Sequence, residues 1–151
     1  MELHNISYND PKVKRAIAQR CGEAYGLWAS FRRGGTGSYR FELVQAPPHV
    51  QDRIDRVEDR RFCSLEVRSN GLLVRLKDRL ETLGIPFGWA DLDQVMLGGP
   101  SAGGLVLFMI TDIRGEQLVF GIRKEHRAAL DRMLERAIPV GQYRSTPSRS
   151  W

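Results

Sequence analysis

In several stretches of this chain apolar residues recur at every second position, and no other feature restricts the fold as much, because a pleated strand sends successive side chains to opposite faces. Tyr39, Phe41 and Leu43 alternate with Arg40, Glu42 and Val44. On the other side of the glycine-rich stretch GGTGS, Leu27, Ala29 and Phe31 alternate with Trp28, Ser30 and Arg32. The pair reads as a hairpin with a glycine-rich loop. Cys63, Leu65 and Val67 alternate with Ser64, Glu66 and Arg68 ahead of Asn70-Gly71, a dipeptide that tolerates positive φ in a tight turn, and LLVRL supplies the second strand. Further on, DLDQVML and GLVLFMITDI read as two mostly buried strands split by GGPSAGG, and Asp112-Ile113-Arg114-Gly115 turns the chain into a last one. Strands are therefore expected at 27–32, 39–45, 62–68, 72–76, 92–97, 105–111 and 117–122.

The period lengthens near both ends of the chain. Asp10 can accept from free amides of a first turn and Pro11 has none to lose, so a helix should follow over 11–24, with Val13, Ala16, Ile17, Cys21 and Ala24 on its apolar side. Leu130, Met133, Leu134, Ala137 and Ile138 form the clearest helical stripe, ended by Pro139, and define a helix over 124–138. Between 47 and 60, Val50, Ile54 and Val57 share one helical face, which fits a short amphipathic helix or a solvated connector. Leu72, Leu73, Leu76, Leu80 and Leu83 also keep a helical rhythm; the hairpin is preferred to residue 76, with 77–84 as turn or helical turn. The last residues, VGQYRSTPSRSW, read as a polar tail.

With 151 residues, 42% of them hydrophobic and 27% charged, a single domain with a substantial core is expected over 1–151, with 1–10 and 139–151 as terminal extensions. Cys21 and Cys63 have neither metal nor disulfide-framework spacing, which suits a reducing cytoplasm. The longest apolar run, Leu105 to Ile110, is far short of a membrane helix, and the start shows no secretory leader. The net charge of +5 is uneven: residues 82–113 contain no Lys or Arg, which marks them as the buried or partner-facing part. Basic residues gather instead at Lys12, Lys14, Arg15, Arg20, Arg32, Arg33 and Arg40, a face that would attract anions.

Strands followed by one long helix give an α+β fold: a strongly bent antiparallel sheet or partly open barrel of about seven strands, plugged by a C-terminal amphipathic helix, with an extra N-terminal helix. This order, together with GIPFGWADLDQV at 84–95 and LVFGIRKEHRAALDRMLERAI running from last strand into helix, resembles a bacterial pleckstrin-homology-like domain. The resemblance implies that Leu130, Met133, Leu134 and Ile138 are among the most buried side chains. It also implies that basic residues of the first hairpin would carry an anionic ligand, although only Arg40 stands on the second strand of that hairpin.

For chemistry, the chain offers His4, His49 and His126 without GxSxG, HExxH or CxxC, so no catalytic residue, metal ligand or cofactor is assigned. GGPSAGG lacks the Lys of a phosphate-binding loop and reads as a turn. RRGGTGSYR is the candidate anion site, with Arg32, Arg33, Thr36, Ser38 and Arg40; its plain alternative is a solvated hairpin tip. Lys12, Lys14 and Arg15 form a secondary basic face. The expected function is a small cytoplasmic binding module that takes a protein segment or an anionic group through this basic face. Nucleic acid or an anionic membrane surface is the alternative partner, and a second copy of the chain is a further candidate.

Overall fold

The structure, a computed structural model, describes residues 1–26, 40–54, 62–78, 81–100 and 104–146. Its centre is one nine-stranded sheet: β1 (His4–Asn5), β2 (Phe41–Gln45), β3 (Phe62–Arg68), β4 (Gly71–Asp78), β5 (Glu81–Gly88), β6 (Leu92–Pro100), β7 (Leu105–Asp112), β8 (Gln117–Arg123) and β9 (Tyr143–Ser145). The strand order is β1-β5-β4-β3-β2-β8-β7-β6-β9, so the sheet of described strands is open, with the two shortest, β1 and β9, at its edges. Two antiparallel meanders, β2 to β5 and β6 to β8, join where β2 pairs with β8, Glu42 lying opposite Gly121. Three helices are described: α1 (Pro11–Cys21), α2 (Pro48–Ile54) and α3 (Arg127–Ala137). None is long and apolar enough to cross a membrane.

The α+β class and the C-terminal helix agree with the sequence. The count of seven strands does not: nine strands are described in one open sheet, and its two edge strands are only two and three residues long. The pairing is antiparallel except where β9 runs parallel to β6, Val95 opposite Tyr143 and Leu97 opposite Ser145. Residues 143–145 are thus not a free tail. The Gln142 side chain donates to Trp89 O and Leu92 O, and the Tyr143 hydroxyl donates to Asp131 on α3 at 2.5 Å, which fixes this segment between helix and sheet. Burial and that bond to Asp131 both raise the Tyr143 phenol above its ordinary value, so it stays a donor.

The inner face of the sheet carries the main core. Phe41, Phe108 and Phe120 meet at centroid distances of 5.5 to 5.9 Å, and Leu65, Leu72, Val74, Ile85, Val95 and Ile110 pack around them. α3 lays Leu130, Leu134 and Ile138 into this cluster, with Met133 and Ala137 packed against it, and α2 adds Val50 and Ile54. Of the four residues expected to be most buried, Leu130, Leu134 and Ile138 are buried and Met133 is only partly so.

β5 corrects the reading of 77–84. Its residues from Leu83 to Gly88 are all buried, because the main core covers one side and α1 with Ile6 the other, so the alternation that marks a half-buried strand is lost. Leu76 and Leu83, which looked like one helical stripe, are cross-strand partners. The β3–β4 hairpin is present as expected, but its turn is Ser69-Asn70 and Gly71 is the first residue of β4. Gly71 serves a different need: a Cβ there would stand 1.9 Å from Phe87 O and 2.8 Å from Cys21 Cβ. α1 ends at Cys21, earlier than expected, because Gly22 adopts φ +83° and its amide closes on Ala18 O. Its start is as expected, with Asp10 accepting from Lys12 N at 2.9 Å. The strand expected at 27–32 lies outside the described residues.

Candidate functional site

The candidate site is built where α1 rests on the outer face of β4 and β5. Ile17 and Cys21 of the helix enclose Leu73, the one β4 side chain between Leu72 and Val74 that points away from the main core. The contact is close because three glycines permit it. Asn70 N donates to Cys21 O at 3.0 Å, Ser69 N to Glu23 O at 3.1 Å and Trp89 N to Asn70 O at 3.1 Å, while a Cβ on Gly88 would lie 2.4 Å from Arg20 O. On the far side, Ile6 N donates to Thr82 O and Thr82 N to Ser7 Oγ, which holds residues 6–8 against β5.

Between these anchors lies a groove of about 380 Å³. Ile6, Val13, Ile17 and Leu73 give it an apolar floor and wall. Lys14, Arg68 and Arg75 bring three cations to it, and Glu23 brings one carboxylate. Glu66 organises two of the cations: its Oε1 lies 2.8 Å from Arg68 Nε, and its Oε2 pairs with Arg75 Nη1. The Arg68 guanidinium also donates to Gly22 O, tying the network to the end of α1. One carboxylate shared by two guanidiniums leaves an excess of positive charge beside an apolar surface. Arg75 is 39% exposed and Lys14 is exposed, so both can meet a ligand, whereas Arg68, at 13%, is mainly a support. Cys21 sits behind the groove. Burial pushes its thiol up to about 11, outweighing the nearby Arg68 charge, so it is a neutral packing group at ordinary pH.

Of the residues expected to bind anions, Arg32, Arg33, Thr36 and Ser38 lie outside the described residues. Arg40 is exposed at the entry to β2, with its guanidinium 5.9 Å from the Phe62 ring centroid. From the secondary basic face only Lys14 lines the groove. Lys12 and Arg15, three positions apart, are exposed on α1, and Arg15 Nε bonds back to Pro11 O at 3.3 Å. Arg68 and Arg75 were not singled out from sequence. Each occupies an outward position of a strand, where a charge ordinarily reads as solvated surface, and only the docking of α1 turns that surface into a groove wall.

His49 lies 3.4 Å from Glu116 Oε2, and its Nε2 is 2.9 Å from Met1 O. The Met1 ammonium stands 3.5 Å from Glu116 and 3.7 Å from Asp112. Asp112 in turn closes the β7–β8 turn by accepting from Arg114 N and Glu116 N. This constellation clamps the start of the chain to that turn. Both cysteines are buried, and neither is in a disulfide. No family model, curated protein or solved structure matches the chain.

Proposed function

We propose that this chain is a binding module of pleckstrin-homology-like build, and that its ligand is an acidic, partly apolar protein segment held in the α1 groove. The observation that carries the reading is the convergence of Lys14, Arg75 and supported Arg68 on a floor of Ile17 and Leu73. Carboxylates suit the two arginines because a planar guanidinium offers paired donors, and the apolar floor favours side chains between those carboxylates. The build is supported by a four-strand meander joined to a three-strand meander, with the following helix set into the core they share. Two buried cysteines outside any disulfide favour a reducing compartment such as the cytoplasm.

The probe is an acetylated peptide alternating Leu and Glu, titrated by calorimetry against the full chain, with a Leu and Lys counterpart as control. Binding of the acidic peptide alone is expected, weakened about tenfold or more in the K14E/R75E variant and only modestly by salt. Equal binding of both peptides, or none, overturns the reading. So does tight binding of oligothymidine with a steep salt dependence, which would mark a site working through charge alone.

A further inference from the structure

The charges around the α1 groove nearly cancel. Lys14, Arg68 and Arg75 face it as cations, Glu23 faces it as an anion, and Glu66 is shared by the two guanidiniums, so among the described residues one positive charge is left over. Lys14 carries it most openly: it is exposed, and among the described residues its ammonium has no ion-pair partner. A surplus of one charge suits one carboxylate. A phosphate dianion or a run of acidic side chains would leave negative charge uncompensated beside Glu23 and an apolar floor.

The space is equally limited. A volume of about 380 Å³ lies near the lower limit, about 300 Å³, of sites that enclose small molecules, so it admits one or two side chains rather than the length of a segment. Main chain closes the groove where α1 ends: Asn70 N donates to Cys21 O, Ser69 N donates to Glu23 O, and Ala24 forms an antiparallel bridge with Arg68. Residues 6–8, tied to Thr82, wall the side toward β5. A segment passing through would have to cross the α1 end, whereas one that stops in the groove would not.

In an extended segment neighbouring side chains point to opposite faces, and those sharing a face are about 7 Å apart, so an internal carboxylate and its apolar neighbour do not enter together. A C-terminal residue carries its carboxylate and its side chain on one Cα. Its side chain can rest on Ile17 and Leu73 while its carboxylate meets Lys14, one turn before Ile17 on α1, and Arg75, two positions beyond Leu73 on β4.

We infer that the α1 groove takes the C-terminus of a partner protein, a single apolar residue whose terminal carboxylate bridges Lys14 and Arg75. This assignment narrows, and rests on, the role of the groove as the site for an acidic, partly apolar segment.

An NMR titration of the full chain tests it, using acetyl-Ser-Gly-Ser-Leu with a free C-terminal carboxylate, the same peptide as its amide, and 4-methylpentanoate. Shifts at Ile17 and Leu73 are expected with a dissociation constant of roughly 0.1 to 1 mM, weakened about tenfold or more by amidation. K14Q should weaken the free acid about threefold or more, and E23Q, which removes the opposing carboxylate, should strengthen it about two- to fivefold. Both positions are exposed, so neither change disturbs the core. The peptide should exceed 4-methylpentanoate by about threefold or more, because its preceding residues meet Tyr8, which lines the groove and is 74% exposed. Equal binding of these two assigns the groove to free apolar acids and overturns the inference, as does indifference of the peptide to K14Q and E23Q alike. A peptide of alternating Leu and Glu that binds equally well once its C-terminus is amidated overturns it too, yet leaves the groove a site for acidic segments. Failure of every acidic probe to move Ile17 or Leu73 overturns both.

Discussion

The two outer faces of this sheet teach opposite lessons about how a strand surface is completed. Over β4 and β5 a helix is laid down, and the covering is thin: among the described residues Ile17, Cys21 and Leu73 are its buried apolar members, and three glycines bring backbone to backbone around them. Over β6, β7 and β8 the outward side chains are mixed, with half-buried Met96, Leu107, Met109 and Val119 beside Gln94, Thr111 and Gln117, and the described helices pack elsewhere. Beneath both halves lies one inner core with Phe108 and Phe120 stacked at its centre. A surface covered by a helix keeps a groove along the helix's side, whereas one finished by its own strand side chains does not.

Replacing Phe108 by Ala tests whether the halves share their stability. It should cost about 3 to 5 kcal/mol and lower the unfolding midpoint seen by every probe together, because Phe108 is fully buried between Phe41 and Phe120. Two separate transitions in urea would show that the halves unfold independently and break the comparison.

Gly71→Ala sharpens it from the other side. The added Cβ meets Phe87 O and Cys21 Cβ, so a loss of more than about 3 kcal/mol is expected. Amide exchange should show the damage first in α1 and only later in β7. Uniform acceleration would mean that α1 is not the weaker covering.

The smallest effect is a pH dependence confined to the helix side. The Cys21 thiol titrates near 9.0 when free and at about 11 when folded. A raised value means that the folded state holds its proton more tightly. The associated stability is complete below about pH 9 and is lost as pH climbs toward 11, amounting to up to about 3 kcal/mol. Urea unfolding of the parent chain and of Cys21→Ala across that interval should differ in slope, with the variant flatter. Parallel slopes would show that Cys21 is not the titrating group.

How much of this was readable follows from what covers each element. β7 is buried on alternate residues and was placed to within one residue of its ends. α1 announced its start through Asp10-Pro11, yet its end depended on Gly22, whose φ of +83° brings the helix terminus onto Ser69 and Asn70. β5 was missed because burial on both sides erased its period, and β9 because Tyr143, Arg144 and Ser145 are too few and too polar to mark a strand. In the groove, Lys14 was legible as part of a basic helix. Arg68 and Arg75 were not, since nothing local distinguishes an outward arginine facing water from one facing a helix yet to be docked.

Local periodicity and capping thus settled which segments become strands and helices, because those preferences act between residues a few positions apart. Which strands lie at the edges, which outward faces are covered, and which charges are gathered into one groove were settled only when α1 and the residues before it folded back on β4 and β5. That choice depends on contacts such as Gly22 with Ser69 and Gly71 with Phe87 O, between residues well separated along the chain, and their energies exist only once the backbone has brought them together.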